Sequence, residues 1–109
     1  MMTIATVETT IDNGIVRISI SGEIDMANIA AVEREVYTAV SGQPAAVSMD
    51  LTNLIYMDSV GIRLLFDLAS RLQRSHITLE LITPCEAPTR RLIELSGLES
   101  VATLYPTSN

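Results

Sequence analysis

Tryptophan is absent from this chain, phenylalanine occurs once and tyrosine three times, so its core must be aliphatic. A single cysteine excludes an intramolecular disulfide framework and fits a reducing compartment. One cysteine and one histidine cannot supply the ligand spacing of a metal cluster. No apolar run reaches the roughly 18 residues that a membrane helix needs. The opening Met1-Met2-Thr3-Ile4-Ala5-Thr6 lacks the basic region and apolar stretch of a secretory signal. Cations are scarce too: seven Lys plus Arg against thirteen Asp plus Glu leave a net charge of −6. Polyanion binding needs clustered cations, and only Arg71/Arg74 and Arg90-Arg91 come close together, each beside acids. Direct binding of nucleic acid or of an anionic membrane is therefore not expected. Phosphate-cradling glycine motifs are missing, and Met57-Asp58-Ser59-Val60-Gly61 lacks the first glycine of a nucleophile elbow. These absences point to a cytoplasmic protein that is not an enzyme and needs no cofactor or metal.

What is present is apolar and strongly periodic. The 109 residues are 48 % hydrophobic, enough to bury one core, and predict a single domain over residues 1–109. Residues 3–9 read as a first strand. Asn13-Gly14 after Asp12 predicts a type I′ hairpin turn, which needs positive φ at both central residues. Ile15–Ile20 alternates, with Val16, Ile18 and Ile20 on one face. From Met26 to Val40 the period becomes helical through Ile29, Val32, Val36 and Val40, and Ser41-Gly42-Gln43-Pro44 ends it. Val47, Met49 and Leu51 align as a third strand. Val60–Arg74 is the strongest helix, with Ile62, Leu65, Ala69 and Leu72 as its expected stripe. Ile77–Ile82 reads as a strand and residues 87–96 as a short helix, with Leu92 and Leu95 expected inward and Gly97 as its C′ residue. Val101–Tyr105 is a last strand, and 106–109 a frayed tail.

The order β-β-α-β-α-β-α-β predicts an α/β fold whose mixed sheet has an N-terminal antiparallel hairpin and then mostly parallel strands. Alternation within the strands, rather than continuous apolar runs, places the helices mainly on one face of the sheet.

Chemistry concentrates where the segment from Asp50 runs through a loop into the helix at Val60. Ser59 stands at the helix start, where unpaired N–H groups and the dipole accommodate an added phosphate. Residue chemistry alone leaves Ser59 open as an N-cap or as a modified hydroxyl, and Asp58 open as the cap instead. Asp25 reads as an N-cap or a partner contact, and Glu23 as a solvated loop carboxylate. Thr52 and Asn53 fit turn chemistry. His76 and Cys85 read as solvated loop residues, and Arg90-Arg91 as a solvated helix face. Advancing about 100° per residue, Val60, Arg63, Leu64 and Asp67 fall on or beside the polar side of the helix. Val60 would then be an aliphatic residue displayed beside Ser59, covering the loop or docking into a protein groove.

Three segments carry a family resemblance. Asp50-Leu51-Thr52, Met57-Asp58-Ser59-Val60-Gly61-Ile62 and Leu65 together resemble the signature of STAS domains, specifically bacterial anti-sigma factor antagonists. Ser21-Gly22-Glu23-Ile24-Asp25 looks like that family's loop after the second strand. Leu79–Pro84 followed by Arg90–Leu98 is similar to its C-terminal third. The resemblance implies partner switching. The unphosphorylated antagonist binds an anti-sigma factor serine kinase and frees a sigma factor; phosphorylation, here at Ser59, releases it, and a serine phosphatase resets it. It also implies a monomer or weak dimer, and makes Asp25, Glu23, Asp58, Val60, Arg63, Leu64 and Asp67 the expected partner-binding residues. Two departures stand out: Val60 replaces a frequent Ser or Thr, and the family's further helix after the last strand would be short or absent. The alternative is a STAS subunit that docks on a transporter or lipid-export ATPase without phosphorylation; a third is a small-ligand or nucleotide-sensing module.

Overall fold

The computed structural model describes residues 4–107. Thr3, the expected start of the first strand, and Ser108-Asn109 of the expected tail lie outside the described residues. Strands β1 (Ala5–Asp12) and β2 (Ile15–Ile24) form the hairpin. Asn13 at φ 52° and Gly14 at φ 78° supply the two positive φ values that the turn requires. Helix α1 (Ile29–Val40), strands β3 (Ala46–Asp50) and β4 (Leu54–Met57), helix α2 (Ser59–Arg74), strand β5 (Leu79–Ile82), helix α3 (Pro88–Ser96), a one-turn 3₁₀ helix over Leu98–Ser100 and strand β6 (Thr103–Tyr105) follow.

The sheet order is β1-β2-β3-β5-β6, with β1–β2 antiparallel and the other pairs parallel. Register decides the two faces. Val16, Val47 and Leu79 align across three strands, and Ile18, Met49, Leu81 and Leu104 across four. Onto this apolar face pack Val32, Val36 and Val40 of α1, Leu64, Leu65, Leu68, Ala69 and Leu72 of α2, and Ile93 of α3, in one contiguous core. The opposite face carries Thr10, Arg17, Ser48, Glu80 and Thr103 in one rung and Glu8, Ser19, Asp50, Ile82 and Tyr105 in the next. The helices therefore cover one face only, as the alternation within the strands predicts.

One strand was not visible in the sequence. Leu54–Met57, read as loop, is β4, and it pairs in parallel with Gly22, Glu23 and Ile24 at the end of β2. Its burial runs buried-exposed-exposed-buried, which breaks the period of two that identifies a strand. β2 pairs with β3 through Ser19 and with β4 from Gly22 onward, and a register shift between Gly22 and Glu23 passes over Ile55, so that Glu23 meets Tyr56 and Ile24 meets Met57. Gly22 makes that shift possible. Its φ is +95°, and a Cβ there would lie 2.3 Å from the Ile4 carbonyl oxygen. The neighbouring Glu23 N–H donates to that same oxygen at 2.9 Å.

Several boundaries and faces also differ. Helix α1 starts at Ile29 rather than Met26, because residues 26–28 form a turn. Val101-Ala102 lies outside β6, which begins at Thr103. In α3, Thr89 and Ile93 point inward, while Leu95 is 70 % exposed and Leu92 is at the surface. The stripe of α2 centres on Leu64 and Leu68, leaving Ile62 only half-buried. Arg90 is not a solvated cation: its guanidinium donates to the Thr83 carbonyl oxygen at 2.7 Å and pairs with Glu94 at 3.3 Å, tying α3 to the end of β5.

The strained φ and the occupied space at position 22 make Gly22→Ala costly. It should lower stability by about 2–3 kcal/mol, read from the urea unfolding midpoint at unchanged m.

Candidate functional site

β2 and β4 run side by side and end together, with Ile24 opposite Met57. The next residues, Asp25 and Asp58, therefore emerge at the same sheet end, and each folds the chain the same way. The Asp25 carboxylate accepts from the Ala27 N–H at 2.9 Å, and the Asp58 carboxylate accepts from the Val60 N–H at 3.0 Å. The Asp58 N–H donates to the Ile24 carbonyl oxygen at 3.2 Å, which pins the start of α2 to the end of β2.

Asp58, with extended backbone, is the N-cap of α2; Ser59 is its first helical residue. The two capping alternatives that residue chemistry left open resolve in favour of Asp58. Its carbonyl oxygen also accepts from Gly61 and Ile62 at 3.1 and 3.3 Å. With the cap filled, the Ser59 side chain is exposed and, among the described residues, makes no hydrogen bond. Gly61 allows the first turn to sit this low. A Cβ there would lie 2.2 Å from Met57 Cγ and 2.6 Å from its Sδ.

Asp25 does not cap α1. The N-cap position is Asn28, whose side chain makes no cap bond; instead it accepts from the Asp25 N–H at 3.1 Å and donates to the Glu23 carbonyl oxygen at 2.8 Å. Glu23 is a strand residue, half-buried and opposite Tyr56, not a loop carboxylate. Thr52 turns against Asp50, whose carboxylate accepts from its N–H at 2.9 Å; the Asn53 carbonyl oxygen accepts from Gly22 N–H at 3.1 Å. Val60 is half-buried and Arg63 exposed.

Two expected partner residues lie elsewhere. Leu64 is 3 % exposed and belongs to the core, so it offers no surface to a partner. The wheel rotates because the apolar stripe includes Gly61 and Leu68. Asp67 is exposed but lies two turns along the helix, acting electrostatically on Tyr37 of α1. Burial raises the Tyr37 hydroxyl above its ordinary pKa, Asp67 and Glu33 push it further up, and Arg71 and Arg74 oppose them. The Arg71 guanidinium lies 4.9 Å from the Tyr37 ring centroid.

Sequence reasoning missed three exposed apolar residues that lie close to Asp25 and Asp58 along the chain. Met26, 78 % exposed, follows Asp25; Ile55 and Tyr56 occupy the outer positions of β4. The only signal was an Ile-Tyr pair in a stretch taken for loop. Among the described residues no group of His, Cys, Asp or Glu could hold a metal ion, and no helix is long and apolar enough to cross a membrane.

The sheet thus carries helices on one face and brings two aspartate turns, one of them the N-cap of α2, to the same end. The chain belongs to the STAS domain family, whose model matches residues 6–109. It is similar to the anti-sigma-F factor antagonist RsfB of Mycobacterium tuberculosis, 32 % identical over 95 residues that cover 87 % of this chain and 76 % of RsfB. The crystal structure of an anti-sigma factor antagonist from Mycobacterium paratuberculosis superposes with a TM-score of 0.81 at 30 % identity, covering 96 % of this chain and 88 % of that one. The antagonist SpoIIAA in its unphosphorylated form shares the fold, with a TM-score of 0.75 at 20 % identity over 92 % of this chain and 88 % of its own. SpoIIAA from Bacillus in its phosphorylated form gives 0.66 at 21 % identity over 92 % and 91 %.

Asp58 as cap has a direct consequence. Asp58→Ala should cost about 1 kcal/mol in thermal unfolding, while Asp58→Asn, which keeps an acceptor, should cost only a few tenths.

Proposed function

We propose that this chain is an anti-sigma factor antagonist that works by partner switching at Ser59. Unphosphorylated, it binds an anti-sigma factor serine kinase and frees a sigma factor. Phosphorylation of Ser59 ends that complex, and a serine phosphatase restores it. The chain is the substrate and binding partner of those enzymes rather than an enzyme itself, forms one domain, and acts in the cytoplasm. The observation that carries this reading is the exposed, unengaged Ser59 hydroxyl at a helix start whose cap another residue already fills.

The electrostatics fit a switch. A phosphoserine adds about −1.5 to −2 charges and three acceptor oxygens. The Val60 N–H, which would otherwise welcome it, already serves Asp58. Asp25 stands at the neighbouring strand end and Glu23 two residues before it. The phosphate therefore enlarges an acidic patch. A partner fitted to a neutral hydroxyl meets repulsion of several kcal/mol, and each 1.4 kcal/mol or so is tenfold in affinity. Asp25, Glu23, Asp58, Val60 and Arg63 frame the contact, with Met26, Ile55 and Tyr56 as its apolar part. RsfB and the Mycobacterium paratuberculosis protein, both anti-sigma factor antagonists by name, support the same role.

Incubation with ATP and the cognate kinase, followed by mass spectrometry, should add one phosphate to the peptide holding Ser59 and none in Ser59→Ala. Ser59→Asp should weaken kinase binding at least tenfold in calorimetry with an unchanged melting temperature. A phosphate on another residue, or full affinity in Ser59→Asp, removes the reading.

A second variant tests Val60. Val60→Asp should leave stability within about 0.5 kcal/mol and weaken binding to the kinase, because Val60 is surface-accessible beside the hydroxyl. Unchanged affinity would confine the contact to the acids and to Met26, Ile55 and Tyr56.

A further inference from the structure

Strand β1 forms one border of the sheet, and its outer edge carries a complete set of hydrogen-bonding groups. The phase follows from one bond. Glu23 N–H donates to the Ile4 carbonyl oxygen, so Ile4 and Glu23 form a hydrogen-bonded antiparallel pair. Alternation along the register then turns Thr6, Glu8, Thr10 and Asp12 toward β2 and leaves the N–H and C=O groups of Ala5, Val7, Thr9 and Ile11 directed outward. This edge has few of the features that keep another strand away, Glu8 and Asp12 being its charged residues. Residues 5–12 contain no proline, lysine or arginine, and their pairing with β2 is unbroken by a bulge.

We propose that β1 is a self-association edge, where a second copy of this chain adds antiparallel across a two-fold axis at Thr9. The sequence around Thr9 complements itself. With Thr9 facing Thr9 of the second copy, Val7 meets Ile11, Glu8 meets Thr10, and Thr6 meets Asp12. Each carboxylate faces a threonine, and Ile11, 71 % exposed in the single chain, gains an aliphatic neighbour. The next compatible register, centred on Glu8, would set that carboxylate against its own copy and is disfavoured.

Helix α1 favours the same partner. It lies over both β1 and β2, so strand spacing of about 4.8 Å would bring the α1 axes of the two copies roughly 10 Å apart, within helix-packing distance. The groove they would share is lined by Val7, Thr9, Arg34, Glu35, Thr38 and Ala39. It offers one cation and one anion from each copy, so Arg34 can face Glu35 of the second copy. About six interchain backbone bonds would form at the central pairs. The two Ser59 loops would sit at opposite ends of the joined sheet, so this inference stands or falls independently of the role of Ser59.

Sedimentation of the full chain across a concentration series should show a monomer–dimer equilibrium. Amide exchange by NMR gives the signature: protection of Val7, Thr9 and Ile11 should rise with concentration, while Thr6, Glu8 and Thr10, already bonded to β2, should change little. Thr9→Lys sets two cations together at the axis and should weaken the dimer at least tenfold with an unchanged melting temperature. Thr9→Pro removes an outward N–H without removing a bond to β2, and should do the same. A wild-type chain that stays monomeric throughout, a dimer that survives Thr9→Lys, or concentration-dependent protection located elsewhere would each overturn the proposal.

Discussion

Everything at the candidate site depends on one geometric constraint: two parallel strands end side by side, at Ile24 and Met57. Each is followed by an aspartate that turns the chain by accepting an N–H two residues on. The pairing holds because the core fixes it from below, with both Ile24 and Met57 buried and Gly61 leaving room for the Met57 side chain. It also depends on Gly22, whose φ of +95° accompanies the register shift that sets Ile24 opposite Met57. Without that shift Ile24 would stand opposite Tyr56, and the two acidic corners would fall one residue out of step.

This arrangement separates what holds the fold from what is displayed. Asp58 does the structural task, accepting from Val60 through its side chain and from Gly61 and Ile62 through its carbonyl oxygen. Ser59, one residue on, does none of it. A hydroxyl with no structural duty can be esterified without withdrawing a bond from the scaffold. The Asp58 and Asp25 carboxylates each accept a backbone N–H and are held in place, so a new charge meets fixed negative neighbours. Local repulsion, rather than refolding, is the economical way for such a surface to change affinity.

Much of this was legible in the residues, and the failures have physical causes. The Asn13-Gly14 turn, the one-sided helical cover and the start of α2 at Ser59 follow from turn chemistry, period and capping, all local effects. β4 was missed because its two ends dip into the core while Ile55 and Tyr56 stay outside, so its four residues show neither a strand's nor a helix's period. Leu64 and Leu92 were misassigned for a shared reason. Each helix chooses its buried stripe by what it packs on, and α3, with Ile93 inward, sits against β4, an element absent from the sequence reading. The role of Arg90 was likewise hidden, because the carbonyl it satisfies lies seven residues back at the end of β5.

The hairpin joins the two ends of this behaviour. β1 borders the sheet along its whole length, yet its first described neighbour, Ile4, is what receives the Glu23 N–H beside the acidic corner. A strand added to the outer edge would bond to Ala5, Val7, Thr9 and Ile11 and would leave that inner bond untouched, because the two sets of groups point in opposite directions. Chemistry at the Ser59 end and association along the border can therefore coexist on one small scaffold. They use different donors and different side chains: the Ser59 end stands on β2 and β4, the border on the outer edge of β1. β2 links them directly, carrying the register of β1 on one side and the strand ends at Ile24 and Met57 on the other, and α1, packed on β1, β2 and α2, links them through the helical layer.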